Sequence, residues 1–486
     1  MVASECAPVV QVGGLADVVY GLSRELEIRG NDVEIILPKY DSMLYDCIWG
    51  LCIVHHDLCV PWHNGVIRCV VYFGFVRGLK CYFIDSNSHD DFFHRPGTYG
   101  YGDDAMRFAF FSKAALEFML QANKRPDVIH CHDWPTGLLP VLLFDIYQQQ
   151  GMHAQRVCFT MHNFRHQGQV GPELLWATGL GRPEHYLHDD RLLDPFNRGT
   201  LNLAKAGIVY ANYVTTVSER HRTEALTTEQ NFGLGQTLWI HRDKFGGVLN
   251  GVDYEVWNPE IDPLIPRRYG VDSLDQKSDN KRALRERFFL RDGFKPIVAY
   301  VGRLDSQKGV DLLRHALFYT LANGGQFVLL GPSADPAISE EFWQLKRELN
   351  DDPDCHLELR FDAELPHLIY AGADLLVMPS RFEPCGLVQM IALRYGTVPV
   401  VRAVGGLADT VFDHDYPTGA SRRGNGYVFE HPDHTGVESA LGRAIGLWYG
   451  DPAQFRELVA SGMRCDHSWR RPGQNYLNIY HHIRHK

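Results

Sequence analysis

Along the chain, short β-branched runs alternate with stretches of helical period, and this pattern predicts parallel sheets crossed by helices. In the first half the predicted strands are VEIILP (Val33 to Pro38), DVIHCH (Asp127 to His132), VCFTMH (Val157 to His162) and VTTVS (Val214 to Ser218), each entering a polar or glycine-containing turn. The second half restarts the alternation with PIVAYVGRL (Pro296 to Leu304), QFVLLG (Gln326 to Gly331), HLELRF (His356 to Phe361), DLLVMPS (Asp374 to Ser380) and VPVV (Val398 to Val401). Between the halves lies VWNPEIDPLIPRRYGVDSLDQKSDNKRALRERF, whose Pro, Asp and charge read as a linker running into a charged helix, with the boundary near Gly251. Tyr476, Ile479, Tyr480 and Ile483 stand at helical spacing and predict a closing helix. The expected architecture is α/β: two Rossmann-like doubly wound domains over 1–250 and 251–465, then a helical segment over 466–486 that packs back on the first domain. Open parallel sheets take ligands beyond the carboxyl ends of their strands, so two such domains facing each other predict a deep interdomain cleft.

A length of 486 residues is too great for one ordinary core and fits two domains. No run is long and apolar enough to span a membrane, and the start MVASECAPVV lacks the basic and apolar regions of a secretory signal. The expectation is a cytoplasmic protein, or a plastid one if a transit peptide has been removed. Met1 lies almost inside the first strand, which is expected to be short or misplaced. Eleven scattered cysteines, without a Cys-x-x-Cys pair, fit a reducing compartment. The net charge of −11 argues against a nonspecific nucleic-acid binder and leaves room for a local basic pocket for an anion. Histidine-rich stretches at His55, His130 to Asp133 and near the C-terminus lack metal-ligand spacing, so no metal is expected.

The chemistry-bearing motifs sit at predicted strand ends. VGGLADVV (Val12 to Val19) returns as VGGLADTV (Val404 to Val411), each a glycine turn opening a helix whose unpaired N–H groups suit an anion; the plainer reading is a tight turn that glycine permits. In VGRLDSQKGVDLL, Arg303 leaves a strand and Lys308 opens a helix. Two cations beside a helix start suit a diphosphate, and surface cations on solvated turns fit the spacing equally well. Glu383 in MPSRFEPCGLVQMIALRYG is placed to accept sugar hydroxyls, or to serve a helix start. Asp133 in HCHDW and His162 with Asn163 in FTMHNFRHQG follow strands in the first half, where loops line the cleft.

Together SECAPVVQVGGLADVV, YGYGDDAMRF, HCHDWPTGL, MHNFRHQG, LNGVDYEVWNP, VGRLDSQKG, YAGADLLVMPSRFEPCGL, VGGLADTV and HSWRRPGQNYLNIY resemble the glycogen and starch synthases over essentially the whole chain. That resemblance implies the GT-B fold and a retaining transferase of glycosyltransferase family 5, extending an α-1,4-glucan (glycogen, starch or malto-oligosaccharide) from ADP-glucose or, in some members, UDP-glucose. It implies no cofactor beyond this nucleotide-sugar donor, and no nucleic-acid or membrane partner. It implies that Gly13 and Gly14 approach the donor phosphates while Arg303 and Lys308 neutralise the leaving diphosphate. Phe361, where the family often has Tyr, would pack near the base; Asn250, Glu383, Cys385, Gly386 and Leu387 would complete the donor site. Tyr101, Asp133, His162 and Asn163 would surround the sugar and the acceptor end, with His162, Asp133, Glu383, Arg303 and Lys308 carrying the catalysis.

Two positions depart from the family pattern. Gln11 stands where the pattern has Lys, so one charge beside the donor is missing and reduced activity is expected. Asp104 stands where Asn is usual and adds negative charge near the sugar. The alternative reading is a glucan-binding or priming protein of the same fold with weak turnover. A nicotinamide-dependent dehydrogenase would need a Gly-x-Gly-x-x-Gly turn, which VGGLAD is not, and no motif suggests the pyridoxal-phosphate lysine of a phosphorylase.

Overall fold

The computed structural model describes residues 1–88, 90–416 and 424–485 and divides the chain into two compact units, Met1–Gly251 with Trp469–Lys486, and Val252–Ser468. The second unit runs to Ser468 rather than 465 because its two chain crossings lie side by side: Val252 bridges Ser468 in parallel and its amide donates to the His467 carbonyl at 2.7 Å.

Unit 1 opens with Val2, whose parallel bridges to Ile36 and Cys131 join two four-stranded sheets. One sheet holds β1 (Glu34–Pro38), β2 (Ile48–Trp62), β3 (Gly65–Val76) and β4 (Leu79–Ser86) in the order β1-β4-β3-β2. Only the β1–β4 pair is parallel here; β2, β3 and β4 form an antiparallel meander that the expectation of parallel sheets did not include. Its two-residue connections, His63-Asn64 and Arg77-Gly78, turn through left-handed backbone (φ 52° at His63, 46° at Arg77, 91° at Gly78), and such short loops return a strand only antiparallel. The other sheet is parallel throughout: β5 (Val128–His132), β6 (Arg156–Met161), β9 (Tyr213–Thr216) and β10 (Phe245–Gly247) in the order β10-β9-β6-β5. A small antiparallel pair, β7 (Gln169–Val170) and β8 (Leu201–Asn202), lies outside it.

Helix α1 (Gly14–Ile28) buries two faces. Leu15, Ala16 and Val19 enter the main core, while Val18, Leu22 and Leu26 join a second cluster with Trp469 and Tyr476. The indole of Trp469 lies so close to Gly21 that a Cβ there would stand 2.0 Å from its Nε1, so this packing requires glycine. The helix Arg470–Arg484 carries Tyr476 and Ile483 fully buried.

Unit 2 is built on one six-stranded parallel sheet: β11 (Ile297–Val301), β12 (Gln326–Leu330), β13 (Cys355–Glu358), β14 (Leu375–Met378), β15 (Val398–Arg402) and β16 (Tyr427–Phe429), ordered β13-β12-β11-β14-β15-β16. Strand order therefore reverses between β11 and β14, the arrangement of a dinucleotide-type sheet. The stretch expected to be a linker is packed on this unit. Trp257 stacks on His367 with ring centroids 4.1 Å apart, and the buried Asp262 carboxylate accepts from His367 Nδ1 at 2.7 Å and from the Tyr395 hydroxyl.

Candidate functional site

In unit 2 the loops after β11 and β14 leave the sheet at its switch point, where an open α/β sheet takes ligands. The first loop carries Arg303, exposed, and Lys308. Lys308 ends a single 3-10 turn (Ser306–Lys308) rather than opening a helix; Gly309, at φ 66°, reverses the chain and the helix begins at Val310. A Cβ at Gly309 would lie 2.3 Å from the Pro379 carbonyl oxygen, so glycine lets this turn rest on the loop after β14. That contact brings Lys308 Nζ within 2.5 Å of Glu383 Oε2, which also accepts from Ser380 Oγ at 3.0 Å. Both charges are largely withdrawn from water, where an ion pair is screened little. Among the described residues no carboxylate pairs with Arg303.

The turn of Gly405 and Gly406 holds this loop from behind. The Gly406 amide donates to the carbonyls of Glu383 and Pro384 at 3.1 and 3.2 Å. The helix it opens, Gly405–Thr410, is too short to present an anion site. Cys385 is buried, and Gln389 Nε2 donates to the carbonyls of Cys385 and Gly386, while Gly386 (φ 72°) turns the chain into Leu387 and the helix Val388–Arg394. Phe361 is 82% exposed.

In unit 1 the first glycine turn is organised by a residue that the motif reading passed over. The buried Glu5 carboxylate accepts the amides of Val12 and Gly13 through Oε2, at 2.6 and 3.0 Å, and the Tyr99 hydroxyl through Oε1 at 2.7 Å. The amide of Gly13 is therefore engaged internally. The start of α1 at Gly14 lies beyond that carboxylate. Gln11 is exposed and its Nε2 donates to Asp17 Oδ2 at 3.0 Å.

Asp133 follows β5 with φ 58° and ψ 177°, a region nearly reserved for glycine, so its backbone is strained. Its Oδ1 accepts the His162 amide at 2.6 Å, and the Asn163 amide also bonds this carboxylate. Burial dominates over those bonds and, with the charge of Glu5 adding, raises its pKa from the ordinary 3.8 to about 7. Burial pushes the His162 pKa down to about 3, so the ring is neutral near pH 7, and its Nε2 meets His132 Nδ1 at 3.1 Å. Asn163 Oδ1 accepts the Arg165 amide in a local turn. Asn250 is buried with its Oδ1 unpartnered, a polar atom that burial alone leaves costly.

Tyr101 and Asp104 are both engaged within unit 1. The Tyr101 hydroxyl accepts from the Gly97 amide at 3.1 Å and its ring lies under the Arg95 guanidinium at 4.8 Å. Asp104 adds no bare charge: its Oδ1 accepts from Arg107 Nε and Nη2 at 2.9 and 2.7 Å, and Arg107 is fully buried, so the carboxylate neutralises a core cation. Thus Asp133, His162 and Asn163 come together in unit 1, and Lys308 and Glu383 in unit 2. Glu5, Tyr99, His132 and Ser380 belong beside them, and the sequence signals were their places inside SEC, YGYGDD, HCHDW and MPSRF.

Residues 1–239 match the family model described as the starch synthase catalytic domain, and 282–454 that of glycosyl transferases group 1. "Glycogen synthase 2" of Methylococcus capsulatus is 61% identical over 485 residues, covering 100% of both chains. "Glycogen synthase 1" of Synechococcus sp. (strain JA-3-3Ab) is 60% identical over 100% of this chain and 99% of its own. The structure of the catalytic domain of starch synthase IV from Arabidopsis thaliana, bound to ADP and acarbose, superposes with a TM-score of 0.97 at 41% identity, covering 100% of this chain and 99% of that one. A sucrose-phosphate synthase from Thermosynechococcus elongatus, 20% identical with a TM-score of 0.61 over 99% of this chain and 98% of its own, shares the fold.

Proposed function

The chain belongs to the glycogen and starch synthases, and on that premise we propose that its donor is ADP-glucose and that Lys308, Arg303, Glu383, Asp133 and His162 perform the transfer. It is a glucosyltransferase with the GT-B fold that acts on a glucan. The observation that carries the site reading is the Lys308–Glu383 pair, with Arg303 on the same loop as Lys308, at the switch point of a parallel sheet. The ADP bound to the Arabidopsis relative supports the choice of nucleotide.

Breaking the bond between the anomeric carbon and the diphosphate leaves negative charge on phosphate and positive charge on the sugar. Lys308 and Arg303 stabilise the first. Glu383, held by Lys308 and Ser380, accepts sugar hydroxyls and orients the ring. His162 is neutral, so it offers a hydrogen bond to the glucosyl unit without opposing its positive charge. The 4-hydroxyl at the non-reducing end of the α-1,4-glucan attacks the same face from which the diphosphate leaves, and its proton passes to a leaving phosphate oxygen.

A covalent route would need a free carboxylate beneath the sugar. Asp133 suits that role poorly, because its carboxylate is tied to two backbone amides and its pKa is raised to about 7. No step calls for a cofactor, and cytoplasmic residence agrees with eleven free thiols.

The test is transfer of labelled glucose from ADP-glucose and, separately, UDP-glucose to a malto-oligosaccharide. Faster transfer from ADP-glucose is expected, with loss in Lys308→Met. Binding of nucleotide sugar without transfer would establish the priming or glucan-binding reading, which Gln11 favours because it brings no charge to the donor.

A further inference from the structure

Three histidines run in file through unit 1, and the reaction as described uses one of them. His162 Nε2 meets His132 Nδ1 at 3.1 Å. The His132 ring stacks on His130, with centroids 4.2 Å apart and planes 29° from parallel. His130 is fixed at both nitrogens, Nδ1 to the Tyr480 hydroxyl and Nε2 to Thr160 Oγ1, each at 2.7 Å. His132 is fully buried, and its Nε2 has no partner.

We propose that His132 is a positioning residue for glucosyl transfer: its Nδ1–H donates to Nε2 of His162 and so holds the His162 proton on Nδ1, the ring nitrogen left to face the sugar. The proposal rests on the reading of His162 given above. Its argument is one of proton counting. Burial holds both rings neutral, so each carries one proton, and one proton lies between them. Were the His132 proton on Nε2, a buried N–H would be left with no acceptor, the rarer and less tolerated defect. With the proton on Nδ1, the unpartnered atom is a lone pair and the contact with His162 becomes a donated bond.

The consequence passes to His162, whose Nε2 now accepts and whose Nδ1 must carry the hydrogen. Its backbone amide is already held by Asp133, so both ring position and tautomer are set before substrate arrives. The stack on His130 keeps the His132 plane from turning toward another partner.

Substitutions at 132 separate the bond from the packing. His132→Phe keeps a ring on His130 and removes the donor. His132→Asn places an amide where Nδ1 was, and His132→Gln places one at the end of the ring that has no partner. Transfer from ADP-glucose to malto-oligosaccharide is expected to fall about tenfold or more in kcat for Phe and Gln, with KM changed less than about twofold, and to recover to within about threefold of the parent for Asn. Equal rates in the parent and His132→Phe, with transfer lost in His162→Ala, would overturn the proposal alone. Full activity in His162→Ala would overturn the reading of His162 itself. A measurement independent of folding at 132 uses the parent chain with 15N-labelled histidine, His162 being assigned by its loss in His162→Gln. The hydrogen is expected on Nδ1, and a hydrogen on Nε2 refutes the assignment.

Discussion

The segments VGGLADVV at Val12 to Val19 and VGGLADTV at Val404 to Val411 differ by one letter, yet glycine serves opposite purposes in them. In the first, Gly13 has extended backbone (φ −153°) and no atom within 4 Å of where a Cβ would stand; its neighbourhood is open and its amide is turned to Glu5. In the second, a Cβ on Gly405 would lie 1.9 Å from the Glu383 carbonyl oxygen and one on Gly406 2.0 Å from that of Cys385. The first turn leads into a fifteen-residue helix and the second into one of six residues. One copy leaves space in front of a helix, whereas the other removes space so that the loop bearing Glu383 can be gripped. The shared sequence does not even impose a shared backbone, since Gly13 is extended while the equivalent Gly405 is left-handed at φ 46° and already begins its helix; the surroundings decide what the missing side chain is for.

The largest effect is expected at the crowded turn. Gly406→Ala has nowhere to put its methyl except against backbone, and calorimetry should show the chain destabilised by about 3 kcal/mol. Lys308→Met, which leaves the Glu383 carboxylate unpaired in the loop that this turn grips, is expected to cost about 3 kcal/mol and to lower transfer about a hundredfold. Retained transfer there would detach the second turn from catalysis.

On the side of the open turn, Asp133 gives a pH signature. Its folded pKa of about 7 lies above the ordinary 3.8, so its contribution to stability is full below the lower value and disappears as pH rises through the higher. Asp133→Asn carries no such loss, so the melting temperature of the variant relative to the parent should climb by about 2–4 °C between about pH 5 and about pH 9. A constant difference would show that the carboxyl is not raised. Gln11→Lys is expected to speed transfer by no more than about tenfold, because Asp17, already bonded to Gln11, would share the new charge. The smallest change in stability belongs to Gly13→Ala, within about 0.5 kcal/mol, with the rate falling all the same as a methyl enters the open space. An unaltered rate would break the contrast between the two turns.

The parallel strands and their order of appearance were legible because β-branched runs and helical periods follow from local geometry. The antiparallel meander is not legible in the pattern, although His63-Asn64 and Arg77-Gly78 form its turns, because strands of mixed exposure such as β2 blur the period-two signal. Lys308 and Glu383 could be picked as chemistry, but their meeting depends on Gly309 resting on Pro379, a contact between residues far apart in the chain. The pairing of Asp104 is hidden for the same reason: its neutralising partner Arg107 sits one helical turn away in α2 (Asp104–Gln121), and only the fold decides that both turn inward. Glu5 is marked only by its place inside SEC, since an acid in a short apolar segment acquires its role from the amides of Val12 and Gly13 that come to it.

The Trp469 socket has a bearing on how the molecule comes into being. Gly21 and Gly251 both leave room for that indole, and Val18, Leu22 and Leu26 lie bare until it and Tyr476 arrive. Unit 2 is spelled out between the socket and its plug, and at about 5–20 residues per second a ribosome spends tens of seconds making it. Throughout that interval the nascent first unit carries an open apolar seam, which makes newly made chains, rather than finished ones, the natural clients of a chaperone.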